Sequence, residues 1–271
     1  MSYRLSKILL QKYINIFFSC KTIELVTILT LKLYRNKILS SQKIIKLFFC
    51  FLKENYKYNF LSSNHLLIPI FTDKSCSGII NNLLWTHVKD LFVSSTYQNL
   101  IISLFGTSLK FKKNLMLTSH TKSIVSNFYN LSDETVNYYI SFILLREIIF
   151  LEYDYFYSYS NEYVNIYRQV VNYYLIRSLK ELVNIYLYND VVFSLNNIHM
   201  IINIYMFLVS IILLDILEST MYSELGSRAN SMTNSIQNSK ENVKYYTLIF
   251  NRYRQAKITN EIIEIISSSN I

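Results

Sequence analysis

The polar and apolar positions are most legible in the last quarter of the chain. From Ala229 the apolar residues step through Met232, Ile236, Val243, Tyr246, Phe250 and Tyr253, and Ser239 fills the single gap. Steps of three and four alternate throughout, which is the heptad seam of a coiled coil sustained for about three and a half heptads. From about Ile204 onward there is no proline, and Gly226 is the only glycine. The spacing predicts one helix of about 60 residues, roughly 90 Å long at the α-helical rise. A single core built from this chain cannot enclose such a rod, so much of it must project.

Residues 4–57 also read as helix, with at most one interruption near Leu39–Gln42 and no glycine or proline. So many positions there are apolar that the pattern predicts a helix without fixing its register. Tyr56–Asn64 is polar and turn-like, and the texture then changes. His65–Phe71 is a short apolar run, Thr72–Gly78 a turn, Ile79–Asp90 helical, and Leu100–Phe105 a second β-rich run ending at Gly106. Strand, turn, helix, strand is the cadence of a parallel βαβ unit. A helix over Glu134–Phe150 precedes the aromatic run Tyr153–Tyr159, which reads as another strand. The expected fold is α-rich α/β. Residues 1–60 form an N-terminal coiled-coil helix, 61–203 a Rossmann-like α/β foot, and 204–271 a C-terminal coiled-coil helix. Both long helices leave the same central domain, so they pair antiparallel.

Composition narrows the function classes. Three glycines and one proline in 271 residues leave too few for glycine-rich phosphate loops or many tight turns. Kinases, nucleotide-binding dehydrogenases and β-sandwiches are disfavoured, and no GxxxxGK[ST] motif offers a phosphate cradle. Cys20, Cys50 and Cys76 are distant from one another, and His65, His87, His120 and His199 lack ligand spacing, so neither a disulfide framework nor a metal site is expected. Asp73 at the end of the first strand reads as a turn cap rather than a ligand. The 24 tyrosines sit in a composition rich in Ile, Leu, Asn, Lys and Phe, as AT-biased coding produces, so aromatic stripes carry little weight.

The formal charge is +9, and residues 1–60 hold all of the excess, with eleven basic residues against Glu24 and Glu54. Such a segment could meet nucleic acid, anionic lipid or an acidic protein. No basic tail or aromatic RNA-binding motif accompanies the charge, so nucleic acid is the weakest of these. The most apolar stretch, Met200–Leu214, is shorter than the roughly 20 residues of a bilayer span and reads as a buried helix.

Particular blocks resemble the gamma subunit of F-type ATP synthases, the central rotor shaft. Ser223-Glu224, Arg228, Met232 and Asn238, followed by Asn251 to Ile265 (NRYRQAKITNEIIEI), are similar to that family's C-terminal pattern at matching spacing. Thr72 to Asn81 (TDKSCSGIIN) resembles its turn after the first strand, though only Gly78 remains of the family's glycines. Thr22 to Leu25 through Lys32 and Arg35, and Tyr159 to Tyr163, are weaker matches in the same order. The cysteine-bearing loop of plastid gamma subunits is absent.

The resemblance implies a non-catalytic subunit that couples proton-driven rotation to ATP synthesis through asymmetric contacts, with no cofactor. Its partners would be the alpha and beta subunits of the catalytic ring, the small delta- or epsilon-type subunits of the central stalk, and the membrane c-ring, with no nucleic acid. Arg252, Arg254 and Gln255 would contact the beta subunit, and Ile258, Ile262 and Ile265 would form an apolar bearing tip. The expected place is the matrix side of the mitochondrial inner membrane, or the plasma membrane of an AT-rich bacterium. The competing reading is a membrane-associated organelle protein anchored through residues 200–214.

Overall fold

A computed structural model of the chain describes residues 3–52, 64–72, 80–94, 99–105, 123–128, 138–149, 153–165, 168–180 and 195–269. The elements in order are α1 (Tyr3–Leu52), β1 (Asn64–Pro69), α2 (Ile80–Ser94), β2 (Asn99–Phe105), β3 (Ser123–Phe128), α3 (Tyr138–Ile149), β4 (Tyr155–Tyr163), β5 (Gln169–Arg177) and α4 (Leu195–Ser269). α1 is a continuous 50-residue helix, without the single interruption the sequence allowed near Leu39–Gln42. With neither glycine nor proline nearby, Ser40, Ser41 and Gln42 are too few to break it. α4 is longer than anticipated, 75 residues, and begins at Leu195.

These elements form two compact units, one of Thr30–Ser227 and one of Met1–Leu29 with Arg228–Ile271. The first is built on a five-stranded sheet of order β3-β2-β1-β4-β5. β1 runs parallel to β2 and to β4, β2 runs parallel to β3, and β5 closes the edge antiparallel to β4. β1 is the centre, and its residues from His65 onward are all buried, as a strand covered on both faces requires. Pro69 is tolerated there because pairing with β2 has already ended at Leu67. β3 and β5 carried no strand signal readable in the sequence, and β4 begins two residues later and ends four residues later than the aromatic run Tyr153–Tyr159.

One face of the sheet carries the core. Leu66, Ile68 and Ile70, with Phe156 and Ile176, pack with Leu144, Leu145 and Ile148 of α3 and with Tyr205, Val209, Ile212, Leu213 and Ile216 of α4. The apolar stretch Met200–Leu214 is therefore spent largely on this core, which removes the reason for reading it as an anchor. On α2, Ile80, Leu84 and Val88 are buried at helical spacing, and the helix lies against β4 and β5.

Two polar clamps hold the sheet's ends. Asn81 at the start of α2 accepts from the Thr72 amide and hydroxyl, both at 3.0 Å, and its own amide donates to the Thr72 carbonyl at 3.0 Å. At the opposite end of β1 the Asn64 amide donates to the Asp154 carboxylate at 2.8 Å. Asp73, expected to cap that first turn, lies outside the described residues.

Tyrosines are part of this core. Tyr205 donates to the Arg177 carbonyl at 2.8 Å, and burial, then the neighbouring Tyr153, pushes its hydroxyl well above the usual phenol range. Burial, then Asp215 and Glu162, pushes Tyr174 up to about 12. Unfolded tyrosine titrates near 10, so above that pH the unfolded chain sheds protons that the folded one retains. Stability is therefore whole below about pH 10 and falls as pH rises toward about 12. Thermal melts monitored by circular dichroism should drop in midpoint over that window, and the drop should be shallower in Tyr174→Phe.

Candidate functional site

The unit of Met1–Leu29 and Arg228–Ile271 contains only helix among its described residues. Its two segments run antiparallel. Tyr3 stacks on Phe250 with ring centroids 5.2 Å apart, and Tyr13 on Tyr246 at 4.8 Å, so the contact moves backward along α4 as it moves forward along α1. The Lys257 ammonium lies 5.4 Å from the centre of the Tyr3 ring, a cation–π contact at the same end.

Burial along α4 shows where its residues face. Met232 and Ser239 are buried, and Ala229, Ile236, Val243, Tyr246, Phe250 and Tyr253 are half-buried. Thr233, Asn234, Gln237, Asn238, Lys240, Glu241 and Asn242 between them are exposed. Ser239 fits because its hydroxyl donates back to the Ser235 carbonyl, a bond that satisfies a small polar side chain inside the stripe.

Sequence reasoning missed the matching stripe on α1. Tyr3, Ser6, Leu10, Tyr13, Phe17, Cys20, Glu24 and Thr27 are its less exposed positions, with Leu9, Ile14 and Ile23 beside them. Ser6 and Thr27 are fully or nearly buried, and both donate to carbonyls three residues back. Two small buried residues let a partner helix come close, as large side chains there would not. The outward face nevertheless keeps Leu5, Ile8, Ile16, Phe18, Leu25 and Val26, which hid the register. The usable signal was charge: Arg4, Lys7, Lys12 and Lys21 all fall outside the stripe and are exposed.

Beyond Tyr253 nothing on α4 is buried within the chain. Arg252, Arg254 and Gln255 are exposed, as are Ile258, Ile262 and Ile265, at 47%, 50% and 67%. Ile263 and Ile266 add to this apolar end. Lys257 and Glu261 form an exposed i,i+4 ion pair at 3.5 Å that supports the last turns without covering them. Five exposed isoleucines within nine residues make an apolar surface that needs a partner outside the chain.

Among the described residues no group of His, Cys, Asp or Glu could hold a metal ion. Cys20 is a free, half-buried thiol within the α1 stripe. Two helices, over Tyr3–Arg35 and Ile202–Ser269, are long and apolar enough to cross a membrane, but most of the apolar window of the second is buried inside the protein.

The family model described as ATP synthase matches residues 20–270. No curated protein matches in sequence. Among solved structures, a chain of the Euglena gracilis mitochondrial ATP synthase, in its OSCP/F1/c-ring assembly, aligns with a TM-score of 0.75 at 16% identity, covering 99% of this chain and 93% of its own. A chain from the rotor of the same synthase aligns at 0.71 and 14% identity, covering 94% and 98%. A chain from the central stalk and c-ring of the Tetrahymena thermophila mitochondrial ATP synthase aligns at 0.62 and 17% identity, covering 79% and 98%. At these identities the solved structures establish a shared fold of long terminal helices around a small mixed sheet.

The buried stripe on α4 has a direct energetic test. Met232→Ala should destabilise the chain by about 2–3 kcal/mol, as loss of a buried methionine side chain does. Gln237→Ala on the exposed face should stay within about 0.5 kcal/mol. Urea unfolding of the two variants against the parent chain measures both.

Proposed function

The chain belongs to the gamma-subunit family of the ATP synthase, and from that premise we propose that it is the rotor shaft coupling proton-driven rotation to ATP synthesis. The observation that carries the proposal is the end of α4, where an arginine-rich turn and five exposed isoleucines follow one another on a helix otherwise partnered along its stripe. In this reading Ile258, Ile262 and Ile265 seat the tip in an apolar bearing formed by the catalytic ring. Arg254, with Gln255 and Arg252, reaches a loop of the beta subunit, where a guanidinium makes charge-assisted, two-pronged bonds to acceptors.

The coupling works by difference. A shaft whose two helices expose different side chains presents a different face to each catalytic site around it, and only such differential contacts shift a site between discrete states. The exposed cations Arg4, Lys7, Lys12 and Lys21 on one helix and Lys240, Lys244, Arg252 and Arg254 on the other give the shaft a positive surface, which an acidic collar would attract over long range. The alpha and beta subunits, the small delta- or epsilon-type stalk subunits and the c-ring are the partners this role requires. The named assemblies of the Euglena and Tetrahymena synthases support that set. They also support a mitochondrial location, and the proposed role would put the chain on the matrix side of the inner membrane.

The subunit has no catalytic step of its own in this mechanism. The purified chain should neither bind ATP at micromolar concentration nor hydrolyse it, which isothermal titration and a phosphate-release assay would check. Replacing both Arg254 and Gln255 with Ala should leave the helix intact, since alanine is the better helix former. Losing charge-assisted contacts worth about 1.5–3 kcal/mol each should lower ATP turnover of the reconstituted complex several-fold while subunit stoichiometry stays normal. Unchanged turnover in a normally assembled complex would take both residues out of the contact.

A further inference from the structure

The single glycine of α4 sits where a strand hairpin touches the helix. A Cβ placed on Gly226 would clash with the Cδ2–Cε2 edge of the Tyr163 ring. The same ring meets Tyr222 edge-on, with centroids 4.9 Å apart. Tyr222 and Gly226 are four residues apart and so share one face of the helix. Tyr163 therefore fills a notch whose floor is the glycine and whose wall is Tyr222. Glycine is among the poorest residues for a helix interior, and its position here is explained by this close approach.

A second contact falls beside the first. Gln169 is the cross-strand partner of Tyr163, so the two side chains leave the same face of the β4–β5 hairpin. The Gln169 amide donates to the Ser223 carbonyl at 3.1 Å, one turn before the notch. The end of the hairpin is itself closed. The Arg168 amide donates to the Asn165 side chain at 2.6 Å, and the amides of Val164 and Asn165 donate back to the Arg168 carbonyl. Farther along, Tyr159 stacks on Tyr173 at 5.8 Å and the Asn172 amide donates to the Glu162 carboxylate. Two strands tied at both levels resist twisting better than a loop would. All of these residues belong to the unit that ends at Ser227, one residue after the notch.

We propose that the β4–β5 hairpin is a torque clamp, with Tyr163 keyed into the Gly226 notch and Gln169 bonded to Ser223, so that rotation applied to the sheet turns α4 without slip. The proposal rests on the rotor reading above and assigns a positioning role to Tyr163, Gln169 and Gly226. Apolar contacts are non-directional, and the Tyr205 bond to the Arg177 carbonyl ties α4 to the sheet at the other end of β5, so the hairpin adds directional contacts farther along the helix. A ring seated in a notch and a hydrogen bond to the backbone both fix the rotational angle of the helix.

The test uses the assembled synthase in membrane vesicles, comparing ATP hydrolysis with ATP-driven proton pumping followed by a quenched acridine dye. Tyr163→Ala and Gly226→Ala should each retain hydrolysis but lower pumping per ATP several-fold, the second despite a better helix former, because its methyl expels the ring. Tyr163→Phe, which keeps the ring, should restore the parent ratio. Gln169→Ala, which removes one part-buried hydrogen bond, should give a smaller loss and serves as the deciding variant if Tyr163→Ala does not assemble. A parent ratio in Tyr163→Ala, or in Gln169→Ala where that variant decides, overturns the clamp. If the parent chain fails to co-purify with catalytic subunits, the rotor reading itself falls, and that result is visible before any variant is made.

Discussion

Two helices in contact share one seam, and everything else on them faces outward. This constraint governs the unit made from the two ends of the chain. Its interior is one line of residues deep on each helix, with Ser6, Thr27, Met232 and Ser239 its most buried members. A globular domain of similar size would spread the burial over layers of side chains, and the described residues here form no second layer. The consequence is an outer surface that combines exposed lysines and arginines with exposed Leu5, Ile8, Phe18, Leu248 and the isoleucines near the C-terminus. Such a surface is tolerable in an assembly that covers it and a liability without one.

α4 meets different demands along its length. Between Tyr205 and Leu217 it is a core helix, apolar on the side that meets the sheet, with Asp215 nevertheless buried at 2%. From Ala229 it becomes a narrow-seamed helix with polar flanks, and past Tyr253 it is exposed all round. The change in character follows the sequence without a break in the backbone, because no proline occurs and the one glycine is held by an aromatic ring rather than by a turn.

What the sequence made legible depended on contrast. On α4 the seam stood out because its flanks are Asn, Gln, Lys, Glu and Thr, so the heptad steps could be counted directly. On α1 both faces carry Ile, Leu and Phe, and counting apolar residues could not separate them. The charges could have done so: all eleven basic residues of 1–60 fall outside the register that Tyr3 and Ser6 define when it is continued by sevens. β1 was readable as a buried apolar run, whereas β5 was not. Its sequence QVVNYYLIR carries apolar side chains on both faces, and most of the strand is only half-buried at the sheet edge, so the period-two signal is blurred. The Tyr163 notch was out of reach because it joins residues 63 positions apart, and neither a tyrosine nor a glycine marks its partner. The contact residues at the end of α4 were nameable only through the resemblance, since an exposed Arg-Gln pair looks the same whether it binds or merely faces water.

The fold persists at 16% identity over 99% of the chain because what it demands of each position is coarse. A two-helix seam asks for a small or apolar residue every three or four positions and for charges elsewhere, and many sequences meet that rule. A core of a given volume accepts other apolar side chains if the total is kept, so Ile-, Leu- and Tyr-rich composition can drift under coding bias without loss of architecture. Sites of close approach are stricter. Asn81 makes three bonds to Thr72 that no other side chain duplicates in that geometry, and Gly226 leaves room that any Cβ would fill. The demands of the fold are therefore strictest at a few points of close approach, while the long helices between them need only keep their periodicity.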